Sequence, residues 1–203
     1  MKPLRHTDLH ITLKSSHHIS SILAHHANMP YIMEIYTDGG CRGNGRSGAI
    51  GAAAAVFKNK FGKCTGWTRP LPEYPPPTNQ RAEITAIILA LETALEKFEA
   101  LDTRPYLDVK IYSDSRYAIG CMTNWIYKWA NNGWTNAAGN EVANRDLIEQ
   151  ASDLDDRLQE KGDVEYIWIP REKNQMADEM CNDEMDEQCR KADTSSDDSD
   201  YYY

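Results

Sequence analysis

Five prolines fall between Pro70 and Pro77. Neither a helix nor a central strand tolerates such a density, because each proline fixes φ and removes a backbone donor. The segment therefore splits the chain into two stretches that must be regular on their own. Before it, Met33–Thr37, Ala49–Phe57 and Lys63–Arg69 are β-rich runs. A turn around Asn59 joins the last two, which predicts an antiparallel meander. After it, Ile84, Ile87, Ile88, Leu91 and Leu95 recur at helical spacing and predict a helix over Asn79–Phe98. Val109–Ser113 and Val164–Ile169 read as strands, and Ser115–Trp125, Asn144–Gln159 and Asn174–Gln188 as helices. Strands that cluster first and then alternate with helices make an α/β chain with a mixed sheet and helices packed on it.

Four acidic residues sit in short motifs at the edges of these elements. They are Asp38 in Tyr36-Thr37-Asp38-Gly39-Gly40, Glu83 in Thr78-Asn79-Gln80-Arg81-Ala82-Glu83, Asp114 in Ile111-Tyr112-Ser113-Asp114-Ser115, and Asp178 in Asn174-Gln175-Met176-Ala177-Asp178. Asp38 and Asp114 close strands that end at one sheet edge if those strands are adjacent and parallel, and the long helix supplies the crossover such a pairing needs. Glu83 and Asp178 are expected in the first turns of helices. Singly, each acid is explained by a turn or by a helix dipole. Together and in this order they converge, and converging carboxylates repel unless cations hold them. An oxygen-only donor set suits Mg²⁺ or Mn²⁺, and phosphodiester cleavage is the chemistry such clusters most often serve.

With 203 residues, 41% of them hydrophobic and 26% charged, the chain can build one domain with a full core. Five cysteines form no close Cys-x-x-Cys pair, so zinc and redox roles are not indicated and a reduced intracellular protein is expected, nuclear or cytoplasmic. No apolar run approaches the roughly 18 residues of a membrane span. The net charge of −9 argues for only modest affinity toward a polyanion, with basic residues tracking a backbone locally. Residues 1–30 carry all six histidines and little acid. They are expected to be a disordered leader, with Met29 or Met33 as an alternative start and a mitochondrial address as the weaker reading. Residues 189–203 are acidic, without an apolar face, and are expected to be a disordered tail.

From about Tyr31 to Gln188 the chain resembles type 1 ribonuclease H, which cuts the RNA strand of RNA–DNA hybrids. The resemblance is carried by the four acidic motifs together with Thr123-Asn124-Trp125, Trp129 and Gly133-Trp134, in order and at family spacing. It implies a five-stranded mixed sheet, antiparallel and then parallel, with helices on both faces. It assigns Asp38, Glu83, Asp114 and Asp178 as catalytic ligands of two Mg²⁺ ions, with Mn²⁺ a possible substitute. Asp38 would bridge the ions, and hydrolysis would leave 5′-phosphate and 3′-hydroxyl ends. Glu83 would also meet a ribose 2′-hydroxyl, the group that distinguishes RNA from DNA. By the same resemblance Asn44, Asn79 and Gln80 would read the minor groove of the hybrid. Thr78 and Asn144 would hold a DNA-strand phosphate, Ser115 would join the substrate contacts, and Trp125 and Trp129 would pack on the DNA strand. The partner implied is an RNA–DNA hybrid duplex, bound by a monomer.

Two features depart from the family pattern. Around the tryptophan segment relatives cluster lysines, whereas here Lys128 is followed by Ala130-Asn131-Asn132 and Thr135. Many members also carry a histidine on the loop before the last acid. Here that loop is Pro170-Arg171-Glu172-Lys173-Asn174, and no histidine follows His26. Glu172 is the candidate for the vacant role. The alternatives are a catalytically weak or silent hybrid-binding protein, a domain that uses one divalent ion for stability, and another nuclease of the same superfold. An exonuclease, however, usually carries an Asp-x-Glu pair that the first strand lacks.

Overall fold

The computed structural model describes residues 29–197. The expected leader lies almost wholly outside them, as does the end of the tail. Within them run β1 (Tyr31–Arg42), β2 (Ile50–Lys58), β3 (Cys64–Pro70), α1 (Asn79–Glu99), β4 (Leu107–Ser113), α2 (Arg116–Gly120), a π-helical turn (Cys121–Trp125), α3 (Ile126–Asn131), α4 (Arg145–Gln159), β5 (Gly162–Trp168), a 3₁₀ turn (Arg171–Lys173) and α5 (Gln175–Asp197). The sheet order is β3-β2-β1-β4-β5. β1–β2 and β2–β3 pair antiparallel, and β1–β4 and β4–β5 pair parallel. This is the five-stranded mixed sheet expected of the ribonuclease H-like fold.

Alternation along β2 decides how both faces are covered. Ala55 and Phe57 point into the main core, and Ala53 meets Ala82 and Ala86 of α1. Ala52 and Ala54 point the other way, onto Cys181 and Met185 of α5. Side chains this small let a helix approach closely on each face. α1 is buried nearly all round, between the sheet and α4. Thr78 caps it by accepting a 3.1 Å bond from the Arg81 amide.

Four expectations are corrected. Asp38-Gly39-Gly40 does not end its strand: β1 continues to Arg42, with Gly39 facing Ala53 and Gly40 facing Ala52. Glu83 lies beyond the first turn of α1, whose acids number none. The helix expected over Ser115–Trp125 is interrupted by the π turn, where the Trp125 ring lies over Gly120, so that a Cβ there would come within 2.9 Å of it. The last helix passes Gln188 and runs to Asp197, so part of the expected disordered tail is helical. Gln188 still donates to the Gly51 carbonyl at 3.2 Å, and Arg190 and Lys191 both pair with Glu187, which supports the added turns.

Candidate functional site

Parallel pairing of β1 with β4 ends at Thr37 and Ser113. Asp38, still within β1 opposite Ala54, and Asp114, just past the end of β4, are the next residues along the chain, so they stand side by side where the parallel pairing stops. Glu83 is brought to them by a close approach of α1 to β1. A Cβ on Gly39 would stand 2.2 Å from the Ala82 carbonyl carbon and 2.3 Å from the Glu83 nitrogen. Only glycine allows that contact. Asp178, on the first turn of α5, faces the same cleft, which is lined by Asp38, Glu83, Asp178, Asn79, Arg171 and Cys181 among others. Asp114 borders the cleft, and its charge acts on both Asp38 and Glu83.

Crowding and burial show in the acidities. Asp38 is 6% exposed, and burial, then the charges of Asp114 and Asp178, push its carboxyl up to about 6. Burial, then Asp38 and Asp114, push Glu83 up to about 9. The Cys181 thiol donates to the Ala52 carbonyl at 3.3 Å. Burial, followed by the charge of Asp38, raises it to about 12, so it stays a protonated thiol rather than a soft thiolate ligand.

A hard divalent cation fits this donor set. The Oε2 atom of Glu83 is shut off from solvent without a hydrogen-bond partner among the described residues, a costly state for a carboxylate oxygen unless a ligand meets it. Among the described residues no group of three His, Cys, Asp or Glu side chains already stands at metal-holding spacing. The acids repel one another, and Arg171 holds Asp178 in an ion pair.

Three positioning residues were not singled out from the sequence. Asn174 is buried and donates to both the Thr37 carbonyl at 2.9 Å and the Asp114 carboxylate at 2.8 Å, tying the ends of β1 and β4 together. Trp168 donates to the Asp114 carbonyl at 3.0 Å. Arg81 makes a two-point contact with Asp146 at 3.0 and 2.7 Å and reaches Asn144 at 3.5 Å. Arg81 thereby joins Thr78, which caps its amide, to Asn144, which also donates to the Tyr117 hydroxyl at 3.1 Å. Asn144 is in the left-handed conformation (φ 59) and makes no capping bond of its own, a geometry that asparagine tolerates.

The other expected substrate residues fall at the ends of the same elements. Asn44 accepts from the Asn79 amide at 2.9 Å, joining the loop after β1 to the start of α1, where Gln80 is exposed. Ser115 caps α2 by accepting from the Ala118 amide at 3.2 Å. Trp125 is exposed and Trp129 partly buried, in a run of rings from Tyr117 through Trp125 and Trp129 to Trp134 with centroid spacings of 6.1, 5.8 and 6.3 Å. Arg145 lies over the Trp134 ring at 5.1 Å.

Comparison with known proteins gives the same region. The family model described as RNase H matches residues 30–189. A ribonuclease H of Chromobacterium violaceum is 36% identical over 154 residues, covering 74% of this chain and 92% of that protein. Ribonuclease HI of Haemophilus influenzae is 32% identical over 155 residues, covering 76% and 88%. Among solved structures, LC11-RNase H1, isolated from compost by a metagenomic approach, superposes with a TM-score of 0.58 at 27% identity, covering 77% of this chain and 97% of that one.

Proposed function

The chain belongs to the ribonuclease H family, and from that premise we propose that it hydrolyses the RNA strand of RNA–DNA hybrids at the four-carboxylate cleft, leaving 5′-phosphate and 3′-hydroxyl ends. The observation that carries the reading is the meeting of Asp38, Glu83 and Asp178 in one cleft beside Asp114, with an unpartnered Glu83 oxygen inside it. Two divalent cations, Mg²⁺ or substituting Mn²⁺, would supply charge stabilisation and an activated water when bound.

Asp38, Glu83, Asp114 and Asp178 would hold these cations, which would relieve the repulsion that Asp38 feels from Asp114 and Asp178. Glu83 also accepts from a ribose 2′-hydroxyl, which restricts cleavage to RNA. Asn44, Asn79 and Gln80 lie along the minor groove. Thr78 and Asn144, linked by Arg81, hold a phosphate of the DNA strand, and Ser115, Trp125 and Trp129 complete the contacts. Residues 31–188 form the catalytic unit, which acts as a monomer. The test incubates labelled hybrid, duplex DNA and duplex RNA with the protein in Mg²⁺ and in EDTA. Cleavage of the RNA strand of the hybrid alone, abolished by EDTA, is the expected result; cleavage of duplex DNA, or of the hybrid in EDTA, sinks the proposal.

A further inference from the structure

Arg171 is the one basic side chain among those lining the carboxylate cleft on the α5 side that pairs with a proposed ligand. It stands on the 3₁₀ turn immediately before α5 and donates through Nη2 to Oδ1 of Asp178. Its field reaches further than that contact. The charge of Asp178, then those of Asp38 and Asp114, stabilise its own, and it in turn opposes the upward shift of Asp38 and of Glu83. The backbone beneath it is anchored, since the Lys173 amide bonds to the Pro170 carbonyl at 2.9 Å and the Asn174 amide to that of Arg171 at 2.9 Å. Asn174 is itself held by its bonds to Thr37 and Asp114. The side chain, by contrast, is 72% exposed. A fixed root with a long, solvent-facing arm leaves the guanidinium free to depart from Asp178.

Resting on the ribonuclease reading above, we propose that Arg171 sets the metal affinity of the site: its guanidinium serves as the counter-cation of the metal-free cluster and competes with the divalent ion for Asp178. Two like charges cannot share one carboxylate without loss, so the ion must displace the arginine. The competition weakens metal binding and steadies the empty site, because each of the two cations relieves the same carboxylate repulsion.

Titration calorimetry with Mn²⁺ alone, without nucleic acid, tests this on wild type, Arg171→Gln and Arg171→Lys. The expected result is Mn²⁺ affinity roughly fivefold tighter in Arg171→Gln, the size appropriate to losing one largely exposed ion pair. Arg171→Lys, which keeps the charge, should stay near wild type. In EDTA, Arg171→Gln should melt below wild type, and added Mn²⁺ should raise its melting temperature by more than it raises that of wild type. A merely structural arginine would lower the melting temperature and leave the Mn²⁺ affinity alone. Unchanged or weaker Mn²⁺ binding by Arg171→Gln, with wild type binding normally, overturns this inference and spares the metal-dependent reading. Failure of wild type to bind Mn²⁺ at all overturns both.

Discussion

Asp38→Asn isolates the cost of assembling the cleft. In the folded, metal-free protein the Asp38 carboxyl is raised from 3.8 to about 6, so the folded chain holds this proton more tightly than the unfolded chain. Folding stability from this group is therefore complete below pH 3.8 and is lost as pH rises through about 6. The loss is about 3 kcal/mol by linkage, since each pKa unit is worth roughly 1.4 kcal/mol. Replacing the carboxylate by a neutral amide of the same shape removes the penalty. In EDTA at pH 8, Asp38→Asn should gain up to that amount, or about 6–12 °C in melting temperature at 2–4 °C per kcal/mol for a domain of this size. At pH 4 the two proteins should melt alike, because wild type is then protonated too. The same variant should lose more than a hundredfold in hybrid cleavage, about 2.7 kcal/mol or more at the transition state. Thermal melts across pH in EDTA, paired with a cleavage assay in Mg²⁺, measure both. A melting temperature that is unchanged or lower at pH 8 refutes the repulsion argument, and retention of more than about a hundredth of the activity refutes the ligand assignment.

Other perturbations probe the substrate face. Ala130→Lys with Asn131→Lys should tighten hybrid binding and steepen log K against log salt by about 0.7–0.9 per added phosphate contact; an unaltered slope would mean that the tryptophan segment does not meet nucleic acid. Glu172 is exposed and makes no hydrogen bond or ion pair among the described residues, so Glu172→Gln should leave kcat and KM nearly unchanged. A tenfold fall in kcat alone would give Glu172 the role of the absent histidine. Thr78→Ala removes the cap of α1 and should cost about 1 kcal/mol in chemical denaturation. Its affinity for hybrid in EDTA should also fall under conditions where the variant is fully folded; unaltered affinity would confine Thr78 to capping.

Much of this architecture was legible from local pattern. Ile84, Ile87, Ile88, Leu91 and Leu95 give α1 its period, and all five are buried as that period requires. The Asn59 turn is made by its own side chain, which accepts from the Phe61 and Lys63 amides, a contact within reach of sequence reasoning. Boundaries failed where a neighbour overruled local preference. Gly39 and Gly40 read as a turn, yet β2 supplies paired partners and α1 needs the missing Cβ. Cys121–Trp125 read as α-helix, yet the indole of Trp125 had to lie over Gly120.

The same division runs through the site. Residue type and motif order were sufficient to bring Asp38, Glu83, Asp114 and Asp178 forward as candidates, because the proposed metal chemistry demands particular side chains and each sits in a recognisable local frame. What holds them was decided only by the tertiary structure. Asn174 reaches Thr37 and Asp114 across long stretches of chain, Arg81 reaches Asn144 and Asp146, and Arg171 brings its charge to acids on β1, α1, α5 and the turn after β4. Such contacts leave no periodicity in a sequence. They arise because packing α1 and α5 on opposite faces of one sheet brings separate segments to a common edge, where Coulomb forces act through space and take no account of distance along the chain.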